Sequence, residues 1–124
     1  MTLTRPPAPA IAFAGWHVLA ELGGAAPDVL DDEPALCRAL ESALLDSGAT
    51  VCQVVSRRFR PRGVTALALL SESHASLHTY PEVGSVFVDV FTCGAKADPE
   101  RAVRLLAEAL GASVGACRTI RRGR

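Results

Sequence analysis

Apolar and polar side chains alternate along Trp16-His17-Val18-Leu19-Ala20-Glu21-Leu22, the two-residue period of a strand with one buried face, and Gly23-Gly24 closes it. The period then lengthens. Leu36, Leu40, Ala43 and Leu44 recur at helical spacing behind Asp31-Asp32-Glu33-Pro34, an acidic start with proline in the first turn, and Gly48 ends the run. Thr50–Ser56 and Val64–Leu70 are short apolar runs joined by the cationic turn Arg57-Arg58-Phe59-Arg60-Pro61-Arg62-Gly63, which predicts a hairpin. Ser85–Thr92, with Val86, Phe87, Val88, Val90 and Phe91, is the clearest strand. A second helix is predicted from Asp98 as N-cap and Pro99 as first residue, with Val103, Leu106 and Leu110 inward and Gly111 as its end. Ser113–Ile120 predicts the last strand.

Two helices among about six strands, with short connections, make an α+β two-layer sandwich in which an antiparallel sheet carries both helices on one face. The other face then needs a cover, and a second copy of the chain is the simplest. The predicted organisation is a Pro-rich flexible leader over 1–14, a single domain over 15–120 and a basic tail over 121–124.

Charge changes the picture by exclusion. Thirteen basic and 13 acidic residues among 124 balance, so no broad field argues for nucleic acid or an anionic membrane. No apolar run approaches the roughly 20 residues that span a bilayer, and the leader is unlike a secretion signal, so the expected location is cytoplasmic. Cys37, Cys52, Cys93 and Cys117 are too widely spaced for a Cys-x-x-Cys motif. Cys37 falls on the apolar helix face, and Cys52 and Cys117 lie in strand runs where a small thiol packs well. Cys93 ends a strand beside Gly94, a place where a side chain can face a cleft.

Polar chemistry concentrates in Leu70-Ser71-Glu72-Ser73-His74-Ala75-Ser76-Leu77-His78-Thr79-Tyr80-Pro81-Glu82. Polar groups in a small core are costly unless hydrogen-bonded or functional. Three readings fit the residue types: a zinc site from His74 and His78 with Cys93 or Glu82; satisfied turn residues; or nucleophilic chemistry shared by Ser73, His78 and Cys93. Spacing alone does not choose among them.

The run Ser71-Glu72-Ser73-His74, then His78-Thr79-Tyr80-Pro81-Glu82, then Asp89-Val90-Phe91-Thr92-Cys93-Gly94 resembles the signature of the bacterial S-adenosylmethionine decarboxylase proenzymes. Gly15-x-His17-Val18-Leu19-Ala20-Glu21-Leu22, Ser47-Gly48-Ala49-Thr50 and Arg58-Phe59-x-Pro61-x-Gly63-Val64 extend the resemblance over roughly Gly15 to Gly111.

The resemblance implies a pyruvoyl-dependent enzyme that cuts itself between Glu72 and Ser73 into 1–72 and 73–124. Ser73 is then the nucleophile of the cut and the source of the pyruvoyl cofactor, which forms a Schiff base with substrate. His78 is the proton acceptor in processing, Thr65 assists where relatives commonly have serine, and Cys93 is the proton donor in decarboxylation. Phe59, Tyr80, Glu82 and Glu21 match substrate-binding positions, and His74 matches the family motif with proton transfer, positioning and core packing all open as its role. The implied product is decarboxylated S-adenosylmethionine for polyamine (spermidine) biosynthesis, from an αββα homodimer that uses neither metal nor pyridoxal phosphate. Tyr80 stands where tryptophan is common, Gly23-Gly24 where an aromatic is common, and Arg60 and Arg62 add charge beside Phe59. These departures keep open the same chemistry on arginine or ornithine, and a non-catalytic paralogue that binds a partner.

Overall fold

The computed structural model describes residues 14–71 and 73–123. The leader (apart from Ala14), Glu72 and Arg124 therefore lie outside the described residues. Six strands, β1 (Ala14–Gly23), β2 (Val51–Arg58), β3 (Val64–Leu70), β4 (Ser73–Tyr80), β5 (Ser85–Cys93) and β6 (Ser113–Gly123), form one sheet in the order β2-β3-β4-β5-β1-β6. Every neighbouring pair is antiparallel. Helices α1 (Glu33–Asp46) and α2 (Pro99–Leu110) cover one face, as the sequence predicts.

The helix ends follow their sequence signals. The Asp32 side chain accepts from the Ala35 amide at 3.1 Å, and the Asp98 side chain from the Arg101 amide at 3.1 Å, each satisfying an orphan donor of a first turn. At the exit of α1 the Ser47 hydroxyl donates to the Leu44 carbonyl at 2.8 Å. Gly48 follows with φ +96°, and a Cβ there would stand 2.6 Å from the Lys96 carbonyl oxygen. Only glycine meets both demands.

The core lies between the helices and the covered sheet face. Val18, Leu22, Val64, Ala66, Ala68, Ala75, Leu77, Val86, Val88 and Val90 alternate inward against Leu36, Leu40, Leu44, Val103 and Leu106. The opposite face is open, and Leu19, Val55, Leu67, Leu69, Phe87 and Ile120 stand exposed on it, with Phe87 at 48%. The expectation of an uncovered, partly apolar face follows from the same alternation.

Two sequence expectations are corrected. The chain end expected as a basic tail is sheet through Gly123, with Arg121 opposite Trp16 and Arg122 opposite Gly15. Backbone pairing with β1 continues regardless of the arginines, whose side chains stay exposed outside the core. Cys52 and Cys117 are exposed rather than packed, because β2 and β6 are edge strands with little over them. Desolvation still raises the Cys117 thiol above its ordinary value, with the Glu100 carboxylate adding to the effect. Cys37 is half-buried against the core, as its helical phase requires.

Candidate active site

The chemistry-bearing residues fall into two groups at opposite ends of β4. Ser73 begins the strand, just past the hairpin turn from β3, and its hydroxyl donates to the Ser71 carbonyl at 3.2 Å. It lines a pocket of about 250 Å³ with Gly48, Thr50, Ser71, Thr92, Cys93 and Lys96. Three connections converge there: the exit of α1, the β3–β4 turn and the end of β5. The loops are tied together by Asp98 N–H to the Ser47 carbonyl at 2.9 Å and by Lys96 Nζ to Thr50 Oγ1 at 3.2 Å. Half-buried Cys93 ends β5 opposite Gly15, where a Cβ would fall 2.2 Å from the Thr92 carbonyl oxygen, so glycine lets β1 close on β5.

The second group surrounds His78. Thr65 and His78 face each other across β3 and β4, and Thr65 Oγ1 and His78 Nδ1 share a hydrogen bond. Aromatic rings continue from there. Phe59 lies 6.0 Å from the His78 ring, His78 is 4.7 Å from Tyr80, and Tyr80 is 5.0 Å from Phe87. Glu82 is exposed in the short 3-10 turn that follows Tyr80. Glu21 pairs with Phe87 in the same cross-strand row and lines a second pocket of about 290 Å³ with Leu19, Phe87 and Arg118.

The turn that carries Phe59 is held from outside the hairpin. Asp31 accepts from Arg58 Nη2 at 2.5 Å and from the Gly63 amide at 2.9 Å. The bond from Arg58, then that from Gly63, hold the Asp31 carboxyl below its ordinary value of 3.8. Beneath, buried Thr79 donates to the Leu30 carbonyl at 2.7 Å and accepts from the Val64 amide at 2.9 Å.

The structure thus brings Ser73 and Cys93 to one pocket, and Thr65, His78, Phe59 and Tyr80 to another place. It does not bring His78 to Ser73. Five residues of extended chain separate them, about 17 Å, and their side chains leave opposite faces of the strand. A zinc site shared by His74 and His78 fails for the same reason, since four strand residues put them about 14 Å apart.

A third cluster was invisible in the sequence as a unit. His17 of β1, Asp89 of β5 and His74 of β4 meet on the open face, with His17 Nε2 at 2.7 Å and His74 Nε2 at 3.5 Å from Asp89 Oδ2. Strand phase puts all three on that face, but the register puts them together.

An antiparallel sheet with both helices on one face defines an α+β two-layer sandwich, and its chemistry-bearing side chains stand in two groups, a serine and a cysteine sharing a pocket and a threonine–histidine pair with an aromatic row. The S-adenosylmethionine decarboxylase family model matches residues 16–123, and the chain belongs to that family. It is 45% identical over 110 residues to the S-adenosylmethionine decarboxylase proenzyme of Parasynechococcus marenigrum, covering 89% of this chain and 86% of that protein. The proenzyme of Carboxydothermus hydrogenoformans is 40% identical over 109 residues, with 88% and 86% covered. The crystal structure of the adenosylmethionine decarboxylase from Aquifex aeolicus matches with a TM-score of 0.75 at 32% identity, covering 89% of each chain.

Proposed function

We propose that this chain is a self-processing, pyruvoyl-dependent decarboxylase of S-adenosylmethionine, cytoplasmic and working as a dimer whose sheets pack open face to open face. The observation that carries the reading is the shared pocket of Ser73 and Cys93 in a member of this family. The residues present suit a pyruvoyl group made in place. Ser73 stands at a strand start with its hydroxyl engaged locally, and Thr92 Oγ1, buried and without a partner among the described residues, belongs to a pocket-lining residue.

In the cut, Ser73 Oγ adds to the carbonyl carbon of Glu72 and the amide becomes an ester. Removal of the α-proton of residue 73 forms its Cα=Cβ double bond and breaks the Cβ–Oγ bond of the ester, freeing a chain that ends in the Glu72 carboxylate. The dehydroalanine left behind takes up water, releases ammonia and keeps a ketone. That pyruvoyl ketone supplies an electrophile for the substrate amine and a sink for the electron pair left when carbon dioxide departs. Cys93 then delivers a proton to the substrate carbon from its half-buried thiol.

His78 serves as proton acceptor with Thr65 holding its Nδ1 side, and the distance along β4 supports a reading in which this pair acts on the Ser73 of a second copy. The dimer rests on that separation and on the exposed apolar side chains of the open face. Phe59 and Tyr80 offer faces on which an adenine can stack, Glu82 accepts from polar substrate groups, and Glu21 supports from the far end of the row. This aromatic row, with the names of the relatives, favours S-adenosylmethionine over arginine or ornithine.

Intact-mass measurement tests the reading directly. Wild type should give a fragment of residues 1–72 and a pyruvoyl-blocked fragment of 73–124, whereas Ser73→Ala should stay one chain. Carbon dioxide release from S-adenosylmethionine, arginine and ornithine should favour the first. An uncut wild-type chain that still turns over would overturn the mechanism.

A further inference from the structure

We propose that Asp89, with His17 and His74, is an anchor that holds the new chain end of β4 after the cut in front of residue 73. It rests on the self-cleavage reading above. β4 is an interior strand, flanked by β3 and β5, and its pairing with β5 runs from His74 opposite Phe91 onward. Ser73 is paired with Leu70 of β3. Once the chain is cut, residue 73 becomes a terminus, and termini fray unless tied down. Fraying here is costly to chemistry, because the ketone of residue 73 is separated from the His74 amide nitrogen only by that residue's own carbonyl carbon. Wherever His74 moves, the reacting ketone moves with it.

His74 carries the first side chain beyond the cut, and that side chain is engaged. Its Nε2 lies 3.5 Å from Asp89 Oδ2, which also accepts from His17 Nε2 at 2.7 Å. The Ser76 hydroxyl donates to the other oxygen, Asp89 Oδ1. One carboxylate thus ties two side chains of β4 to β5, and through His17 to β1. Arg122 of β6 completes the line, donating from Nη1 to His17 Nδ1 at 3.2 Å and lying 5.1 Å over the Phe91 ring. Phe91 packs beside both histidines, its ring 5.4 Å from His17 and 5.7 Å from His74, while the two imidazoles meet edge to face at 5.7 Å.

The same three ligand atoms, all within 4.8 Å of one another, have the make-up of a two-histidine, one-carboxylate metal site. Arg122 argues against that use. A guanidinium has only N–H donors, so its contact requires a lone pair on His17 Nδ1 and leaves the proton of the neutral ring on Nε2, aimed at Asp89. A metal on Nε2 would need the opposite tautomer, with an N–H facing a cation. The geometry therefore assigns the cluster to positioning.

Hydrogen exchange on the cleaved protein tests this. In Asp89→Ala the amides of residues 74–76 should exchange about 10-fold faster than in cleaved wild type, with those of residues 86–88 unchanged. In the same substitution made on uncut Ser73→Ala, the continuous chain should hold the strand and exchange should scarcely change. Steady-state kinetics of cleaved Asp89→Ala should show kcat lowered about 10-fold with KM near wild type, since the misplacement affects the reacting group. Asp89→Asn, whose amide still bridges the histidines, should recover most of both and guards against a variant that does not fold.

Equal loosening of the cut and uncut chains would overturn the anchor in favour of a general structural role, and unchanged exchange in both would overturn it outright. Failure of folded Asp89→Ala to cut would assign the cluster to processing instead. Stoichiometric zinc in wild type that is lost from Asp89→Ala would replace the anchor by a metal site. If wild type itself stays uncut, the self-cleavage reading fails first; if it cuts and decarboxylates while exchange is unmoved, only the anchor fails.

Discussion

The two ends of β4 are built from the same strand by different means. At the Ser73 end the side chains face a pocket closed by three loops, and backbone contacts do most of the holding: Ser47 carbonyl to Asp98 amide, Gly48 against Lys96, Gly15 against Thr92. At the His78 end the functional groups stand on the open face of a finished sheet, aligned by register, with Thr65, His78, Phe87 and Glu21 in one row. The first end is a cleft that can enclose a reacting atom. The second is an aromatic and partly polar surface that encloses nothing by itself. A single strand can serve both because its side chains alternate between faces.

If both ends belong to one reaction, they meet across two copies of the chain, and the largest expected effect tests this. His78→Ala alone should slow cleavage by about 10²- to 10⁴-fold, the usual range for loss of an acid–base group. Co-expressed in equal amounts, Ser73→Ala and His78→Ala should regain about a quarter of wild-type cut sites, because half the dimers are mixed and each carries one intact pair. No recovery, measured by intact mass, would place each site inside one chain and break the comparison.

A smaller and more selective effect separates cutting from turnover at the Ser73 end. Cys93→Ala should yield both fragments at near wild-type extent but release carbon dioxide about 10²-fold more slowly. Normal turnover would remove Cys93 as the proton donor.

The smallest effect concerns the His78 end alone. Because Asp31 has its carboxyl depressed by Arg58 and Gly63, its contribution is present above the ordinary value of 3.8 and lost as pH falls through the depressed one. Asp31→Asn should therefore melt slightly below wild type near neutrality, and the two melting curves should converge as pH drops below about 4. A constant difference across that range would mean the turn beside Phe59 is held by something other than the ionised carboxylate.

Local chemistry in the chain was enough for both helices and five of the strands, whereas β4, whose serines and histidines mask its alternation, became legible as a strand only through its pairing with β3 and β5. The alternation of Val86 to Phe91, the helical spacing of Leu36, Leu40 and Leu44, and the Asp98-Pro99 start each mark a single conformation because the burial they serve has that period. The sheet running on through Arg121 and Arg122 was not legible: exposed cations resemble a solvated end, and β1 supplies the partner that makes them a strand. The exposure of Cys52 and Cys117 was hidden for a related reason, since strand residues look alike until one knows which strands are edges.

The candidate site divides the same way. The sequence by itself put forward the candidates for the chemistry: Ser73, His78 and Cys93 stand within long, ordered motif runs, and Thr65 directly follows one. It also gave the proposed cut its place in the chain. Only the tertiary structure decided who meets whom. Antiparallel register sets Thr65 against His78 and separates both from Ser73, and the packing of three loops joins Ser73 to Cys93. Residues as remote as His17, His74, Asp89 and Arg122 converge because β1, β4, β5 and β6 lie in an order unlike their order in the chain. Side-chain types follow from local sequence, whereas distances between them follow from strand order and register, which depend on the whole core at once.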